Sequence, residues 1–190
     1  TSSVEAIVQQ KNVRGIAGSP GLAIGFGFSP DKSINLKNYV IKRTRSPSQE
    51  IQRYRSGVEI TRQHVDSLSL RLDDGIPDDV KSIFQLYHQL LDANSLGREV
   101  EEKIREGWDA GSSLKMVVDS YAARFQAMED PYMQERAIDI VDLSDRILVN
   151  ILSEANGQKV EEKRPTRDSI LVAEEVSATM LAEFPRETLK

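Results

Sequence analysis

From Ser46 to Glu154 the apolar side chains keep to spacings of three and four, interrupted only by glycines, prolines and short polar runs. A chain that holds a helical period for so long has to bury its apolar stripes against one another, which imposes a helical bundle. The first stretch opens with Ser46-Pro47-Ser48-Gln49, the pattern of a capping box with proline at the first helical position. Ile51, Tyr54, Val58, Thr61, Val65, Leu68 and Leu72 then form a coiled-coil-like seam, roughly 30 Å long at 1.5 Å per residue. That seam could accept a second chain, but the helices that follow favour its use inside one bundle. Pro77 restarts a helix with apolar positions Val80, Ile83, Phe84, Tyr87, Leu90 and Leu91, and a break at Asp92-Ala93-Asn94 precedes another with Leu96, Val100 and Ile104. After Gly107 and Gly111, the positions Leu114, Val117, Val118, Tyr121, Phe125 and Met128 predict a further helix ending near Glu129. Short connections between such helices imply antiparallel packing.

The last helix of the run, Asp130 to Glu154, is the most informative about function. Asp130 is placed to cap the first free amides, and Pro131 stands where no amide hydrogen bond is lost. Met133, Ala137, Ile140, Val141, Leu148, Ile151 and Leu152 predict the buried stripe. Another face carries Tyr132, Glu135, Arg136, Asp139, Asp142 and Arg146, with Tyr132 beside Arg136 and Asp142 beside Arg146 at a spacing of four. Two readings stay open from spacing alone. The face is either solvated and laced by ion pairs of about 0.2 to 0.5 kcal/mol each, or it is a recognition surface.

The two ends of the chain have a different period. Gly15-Ile16-Ala17-Gly18-Ser19-Pro20-Gly21 is turn-rich and leads into Leu22-Ala23-Ile24-Gly25-Phe26-Gly27-Phe28, whose alternation predicts a strand with one packed face and one nearly bare face. Tyr39-Val40-Ile41 is a second short strand candidate. Beyond Gly157 a charged stretch runs to Pro165 as a linker, then Ser169-Ile170-Leu171-Val172-Ala173 reads as a buried strand with a helix from about Ser177. The expected fold class is therefore α+β and mostly α, an antiparallel helical bundle inserted into an incomplete α/β subdomain. Too few strands are present for a complete sheet, and the opening Thr1-Ser2-Ser3 lacks Met, so the chain reads as a piece of something longer.

With 190 residues the chain can build one substantial core or two small ones. Its 25 basic and 30 acidic residues leave a net charge of −5, which argues against nucleic acid or an anionic membrane and suits a basic protein partner. The absence of Cys and the presence of only two His exclude a disulfide framework and thiol chemistry and disfavour a zinc site. No apolar run approaches the roughly 20 residues of a membrane span, and no signal segment opens the chain, so the expected location is cytoplasmic. No self-contained catalytic site emerges. His64 and His88 lie within helices as structural or solvent-facing groups, and the glycines from Gly15 to Gly27 lack the Gly-Lys-Ser/Thr ending of a phosphate loop. Asp78 and Asp79 follow Pro77 in a first helical turn, where carboxylates suit the helix dipole or could equally meet an arginine on a partner.

Taken together, several segments resemble one family, the phosphoenolpyruvate-protein phosphotransferases known as Enzyme I of the phosphotransferase system. The segment from Gly15 to Gly25 looks like its opening strand motif. Ile83-Phe84, Leu90-Leu91-Asp92 and the helix with Asp130-Pro131-Tyr132, Glu135-Arg136-Ala137, Asp139, Asp142 and Arg146-Ile147-Leu148 look like its helical subdomain, and Ile170-Leu171-Val172-Ala173 like its returning strand. The run from Leu90 to Gly97 is more similar to the nitrogen-regulatory branch than to the sugar-transport branch, because Ala93, Asn94 and Ser95 stand where the latter has acidic residues.

The resemblance implies a linker from an upstream GAF-type domain at 1–12, a partial phosphohistidine subdomain at 13–45 and 165–190, and a carrier-docking helical subdomain at 46–156. The two subdomains would swivel about linkers near Arg43 to Ser46 and Gly157 to Pro165. In this family a histidine takes the phosphoryl group of phosphoenolpyruvate and passes it to a small carrier, HPr or NPr. That histidine is expected soon after Lys190, and the phosphoenolpyruvate and magnesium sites, with the homodimer contact, in a carboxy-terminal domain beyond this chain. No catalytic, cofactor or metal residue is therefore expected here, and the piece alone is expected to be inactive. The dock implied by the resemblance comprises Tyr132 and Arg136, with Asp78, Asp79, Tyr87, Leu90 and Leu96 on the neighbouring helices. The alternative from the residues themselves is a non-catalytic binding or dimerisation module that uses the Ile51 to Leu72 seam.

Overall fold

The structure, a computed structural model, describes residues 12–30, 34–71, 78–156, 165, 167–173, 176–184 and 187–190. Helix α1 spans Pro47–Arg71. It starts where the sequence predicts, with Pro47 at the first position and the Ser46 carbonyl accepting from the amides of Gln49 at 3.1 Å and Glu50 at 3.2 Å. The capping box is not closed by Gln49, because the Ser46 amide donates instead to Thr44 Oγ1 at 3.1 Å. Tyr54, Thr61, Val65 and Leu68 are buried, and Ile51 and Val58 pack half-buried against the same core. The seam is thus filled by the chain's own helices and is not free for a second chain. Leu72, Pro77 and the charged stretch after Gly157 lie outside the described residues.

Helices α2 (Asp78–Leu90), α3 (Arg98–Arg105), α4 (Ala110–Gln126) and α5 (Pro131–Asn156) complete the bundle. Between α2 and α3 a π-helical turn at Ala93–Gly97 breaks the path at Ser95, whose φ of −93° and ψ of −119° are not helical. This is the break expected after Asp92. Helix α4 is capped by Asp109, which accepts from the Ser112 amide at 2.7 Å. Helix α5 lies against α1 and α4. The two helices α1 and α5 come close at Gly57, where a Cβ would stand 2.8 Å from Ile151 Cγ1 and 3.2 Å from the Ile151 amide nitrogen.

Burial along α5 differs from the expected stripe. Ala137, Ile140, Leu143, Ile147, Leu148 and Ile151 are buried, while Val141 is 36% exposed. The buried arc is wider than one stripe because α5 is covered on more than one side, and it takes in the carboxylates Asp139 and Asp142 as well.

The remaining elements are short. Strand β1 (Phe26–Phe28) pairs in parallel with β2 (Ser169–Leu171), Phe26 opposite Ser169 and Phe28 opposite Leu171. Helix α6 (Ala178–Glu183) follows, with Ser177 Oγ accepting from the Met180 amide at 3.1 Å. Phe28 meets Phe184 edge-on with centroids 5.4 Å apart. The expected packed face of the first strand is not covered by the described residues, since Leu22 is 94% and Ile24 84% exposed.

Tyr39-Val40-Ile41 is not a strand. Tyr39 is instead drawn to the start of α4, where its hydroxyl donates to Asp109 Oδ2 at 2.9 Å. Its ring occupies the space above Gly111, where a Cβ would come within 2.5 Å of Tyr39 Cζ. Leu36 anchors the same segment. It is buried, its amide donates to Asp145 Oδ1 at 2.7 Å, and its carbonyl accepts from Lys115 Nζ at 2.8 Å. The architecture is mostly helical with a small parallel sheet, as the two periods in the sequence predict. Among the described residues no helix is long and apolar enough to cross a membrane.

Candidate partner-docking face

The polar row of α5 begins at its capped end. Asp130 Oδ1 accepts from the Tyr132 amide at 2.9 Å, which sets the first turn and turns the Tyr132 ring outward, 43% exposed. The Arg136 guanidinium stacks over that ring at 4.6 Å from its centroid, the neighbour contact that a spacing of four allows. The Tyr132 hydroxyl lies 2.9 Å from Ser82 Oγ, so the pair also ties α5 to α2.

One turn further, Arg136 Nη1 is 2.8 Å from Asp139 Oδ2, with the two side chains only 12% and 9% exposed. The contact is an ion pair without the alignment of a hydrogen bond, and Arg136 Nε and Nη1 have no acceptor. Burial pushes the Asp139 carboxyl above its ordinary range; Arg136 pulls it down, and the neighbouring carboxylates of Asp142 and Glu135 push it up again. These are not the solvated pairs that spacing alone allowed.

The second half of the row faces inward. Asp142 Oδ2 accepts from Arg146 Nε and Nη2, each at 3.1 Å, and from the Tyr87 hydroxyl at 3.2 Å. Arg146 is also ion-paired with Glu183 of α6. A buried network therefore runs from α2 through α5 to α6, a fully internal use of residues that the sequence placed on the polar face.

The structure separates the seven predicted dock residues. Tyr132 and Arg136 come together at the surface edge where α5 meets α2. Tyr87 is 0%, Leu90 8% and Leu96 2% exposed. These three belong to the hydrophobic core beneath that edge, Tyr87 and Leu90 from α2 and Leu96 from the turn after it. Asp78 and Asp79 stand in the first turn of α2, with their side chains outside the described residues.

Sequence reasoning missed Ser82, which no motif marks. It also passed over Ile138 and placed Val141 in the buried stripe, whereas both are exposed on α5 and line a cleft of about 470 Å³ together with Asn35, Asp145 and Met180. His64 is half-buried on α1, and His88 Nε2 is 3.6 Å from Asp66 Oδ1 with both side chains about half exposed. Among the described residues no group of three or more His, Asp or Glu is placed to hold a metal ion.

A family described as "PEP-utilising enzyme, N-terminal" matches residues 14–136. A relative from Escherichia coli (strain K12), "Phosphoenolpyruvate-dependent phosphotransferase system", is 32% identical over 182 residues, covering 95% of this chain and 24% of the relative. A "Phosphoenolpyruvate-protein phosphotransferase" from Listeria innocua is 26% identical over 186 residues, covering 95% of this chain and 31% of the relative. The chain thus spans about a quarter to a third of the length of these curated relatives. Among solved structures, "N-terminal domain of Enzyme 1 - Nitrogen" matches with a TM-score of 0.65 and 33% identity over 90% of this chain and 68% of that one. A solution structure of Enzyme I matches with a TM-score of 0.71 over 92% of this chain and 70% of that one, and at 22% identity it speaks for the fold alone. By family match, sequence identity and fold, this chain belongs to the PEP-utilising enzyme amino-terminal family, as an Enzyme I amino-terminal domain similar to the nitrogen-type one.

Proposed function

We propose that this chain supplies the carrier-docking part of a phosphoenolpyruvate-protein phosphotransferase. In the whole enzyme a phosphoryl group passes from phosphoenolpyruvate through a histidine to an HPr-type or NPr-type carrier, and residues 46–156 form the surface that receives the carrier. Residues 13–45 and 165–190 then belong to the subdomain that bears the active histidine. One observation carries this reading: the Tyr132 and Arg136 pair, stacked and tied to Ser82, sits at the open edge between α5 and α2 in a chain whose relatives are phosphotransferases. An exposed aromatic over an arginine is the kind of anchor on which protein interfaces concentrate their energy.

The nitrogen branch is favoured by the likeness to the nitrogen-type Enzyme I domain and by Ala93-Asn94-Ser95 at the helix break. Magnesium, phosphoenolpyruvate and the dimer contact fall, on this reading, to other parts of the enzyme, and no chemical step is routed through the residues described here. The proposal also places the enzyme in the cytoplasm, on the family resemblance.

Titrating an unlabelled NPr-type or HPr-type carrier into the isotope-labelled chain is expected to shift the amide resonances of Tyr132, Arg136 and the first turn of α2. Absence of any shift there overturns the reading. In the full-length enzyme, Arg136→Ala is expected to lower carrier phosphorylation while leaving autophosphorylation of the enzyme intact.

A further inference from the structure

An arginine on a helix surface ordinarily keeps its stem on apolar neighbours and its charged head in water. Arg136 does not. Its guanidinium is held between two groups of its own helix, the Tyr132 ring at 4.6 Å and Asp139 Oδ2 at 2.8 Å. Both charged side chains are largely covered, and two of the guanidinium nitrogens are buried without an acceptor. Tyr132 is itself fixed, through its backbone by Asp130 and through its hydroxyl by Ser82 of α2. Two side chains of α5 thus hold the cation directly, and Ser82 of α2 holds one of them.

We propose that Asp139 is a positioning residue of the dock: together with Tyr132 and Ser82 it holds Arg136 in one arrangement before any partner arrives. The inference rests on the reading of this edge as the carrier dock. Its physical content is preorganisation. Long side chains lose rotamer freedom when an interface forms, and a group already held in its bound arrangement avoids that loss. Asp139, 9% exposed, offers a carrier almost no contact of its own, so any effect on binding has to pass through the arginine.

The test is carrier binding by calorimetry to the wild-type chain, Arg136→Ala, Asp139→Asn and the double variant. Asp139→Asn keeps the shape and removes the charge, and is expected to weaken carrier binding about fivefold to tenfold, the range of coupling between groups in one network. In the Arg136→Ala background the same substitution is expected to change nothing further. Ser82→Ala, which frees the Tyr132 hydroxyl, is expected to weaken binding about twofold to threefold.

In the full-length enzyme Asp139→Asn is expected to raise the KM for the carrier with kcat unchanged, which a general loss of structure would not produce. Wild-type affinity in Asp139→Asn, or an equal loss with and without Arg136, overturns the proposal while leaving the dock in place if Arg136→Ala itself binds weakly. Unchanged affinity in Arg136→Ala overturns the dock reading and this inference with it. Should Asp139→Asn fail to fold, wild-type affinity in Ser82→Ala overturns the proposal on its own.

Discussion

Replacing Tyr87 by Phe separates a residue that touches a partner from one that supports the surface. The substitution removes a single oxygen and leaves the ring, so no cavity opens in a position that is 0% exposed. What is lost is the hydrogen bond from the hydroxyl to Asp142 Oδ2 at 3.2 Å. A hydrogen bond to a charged acceptor contributes about 1.5 to 3 kcal/mol, and a neutral one about 0.5 to 1.5 kcal/mol. Two features place this one where the two ranges meet. The distance is long, and the same oxygen also accepts from Arg146 Nε and Nη2 at 3.1 Å, so Asp142 stays paired after the change. The expected destabilisation is about 1 to 1.5 kcal/mol, or roughly 2 to 4 °C per kcal/mol in melting temperature for a chain of this size. Urea unfolding of wild type and Tyr87→Phe side by side measures it, and carrier titration of the same two samples is expected to give equal affinities. A variant with wild-type stability and a weakened carrier would refute the argument, because it would put Tyr87 in the interface and not beneath it.

At Gly57, alanine brings two opposed effects. A mid-helix Gly→Ala change ordinarily stabilises by about 0.5 to 1 kcal/mol, but here the new methyl meets Ile151 Cγ1 at 2.8 Å and the Ile151 amide nitrogen at 3.2 Å, and overpacking of that kind costs about 1 to 3 kcal/mol. Gly57→Ala is expected to lower the urea midpoint, and a raised midpoint would show that α1 and α5 part without cost. The hydrogen bonds of Arg55 hold the Glu101 carboxyl below its ordinary range, with Arg105 adding to the effect and burial opposing it. A carboxylate with a depressed folded pKa contributes stability that is present above its unfolded value and lost as pH falls through the folded one. Glu101→Gln is therefore expected to flatten the acid limb of the stability curve below about pH 4, as read by urea unfolding at a series of pH values. Asp139, raised by burial, works in the other sense. Its ionised form is disfavoured in the fold, so Asp139→Asn is expected to remove a gain in stability that the wild type shows as pH falls through the raised folded pKa.

The features legible in the sequence are those set by neighbours along the chain. Pro47 after Ser46 and Asp130 before Pro131 mark helix starts because a cap is a matter of two or three residues, and each appears where it acts. The stacking of Tyr132 with Arg136 and the pairing of Asp142 with Arg146 follow equally from a spacing of four. What periodicity does not carry is which face of a helix meets which neighbour. Leu36 enters the core from a turn, with no period to announce it, and Ser82 meets Tyr132 only because α2 passes beside the start of α5. Tyr39-Val40-Ile41 has the composition of a strand, yet Tyr39 finds its hydrogen bond at Asp109, 70 residues away in sequence. The residues predicted for the dock divide on the same ground: Tyr87 and Leu90 on α2, and Leu96 in the turn after it, are spent on the core.

That division bears on how a carrier could be recognised at all. With Tyr87 and Leu90 of α2 buried, the proposed recognition at this edge falls to Tyr132, the covered arginine beside it and whatever the exposed faces of α2 and α5 add. The carboxylates of the α5 row do not sit idle behind that edge. Asp139 holds the covered arginine beside Tyr132, while Asp142, one turn on, accepts from Tyr87 beneath the edge and from Arg146, which in turn reaches Glu183 on α6. The two acidic residues are three apart on one helix and both largely buried, an arrangement that would repel without an arginine for each. Pairing each carboxylate with its own arginine lets one polar row serve two tasks, an outward one at Tyr132 and an inward one at α6. The alternation of charge along α5 is thus a condition for burying the row, and the covered arginine beside Tyr132 depends on it.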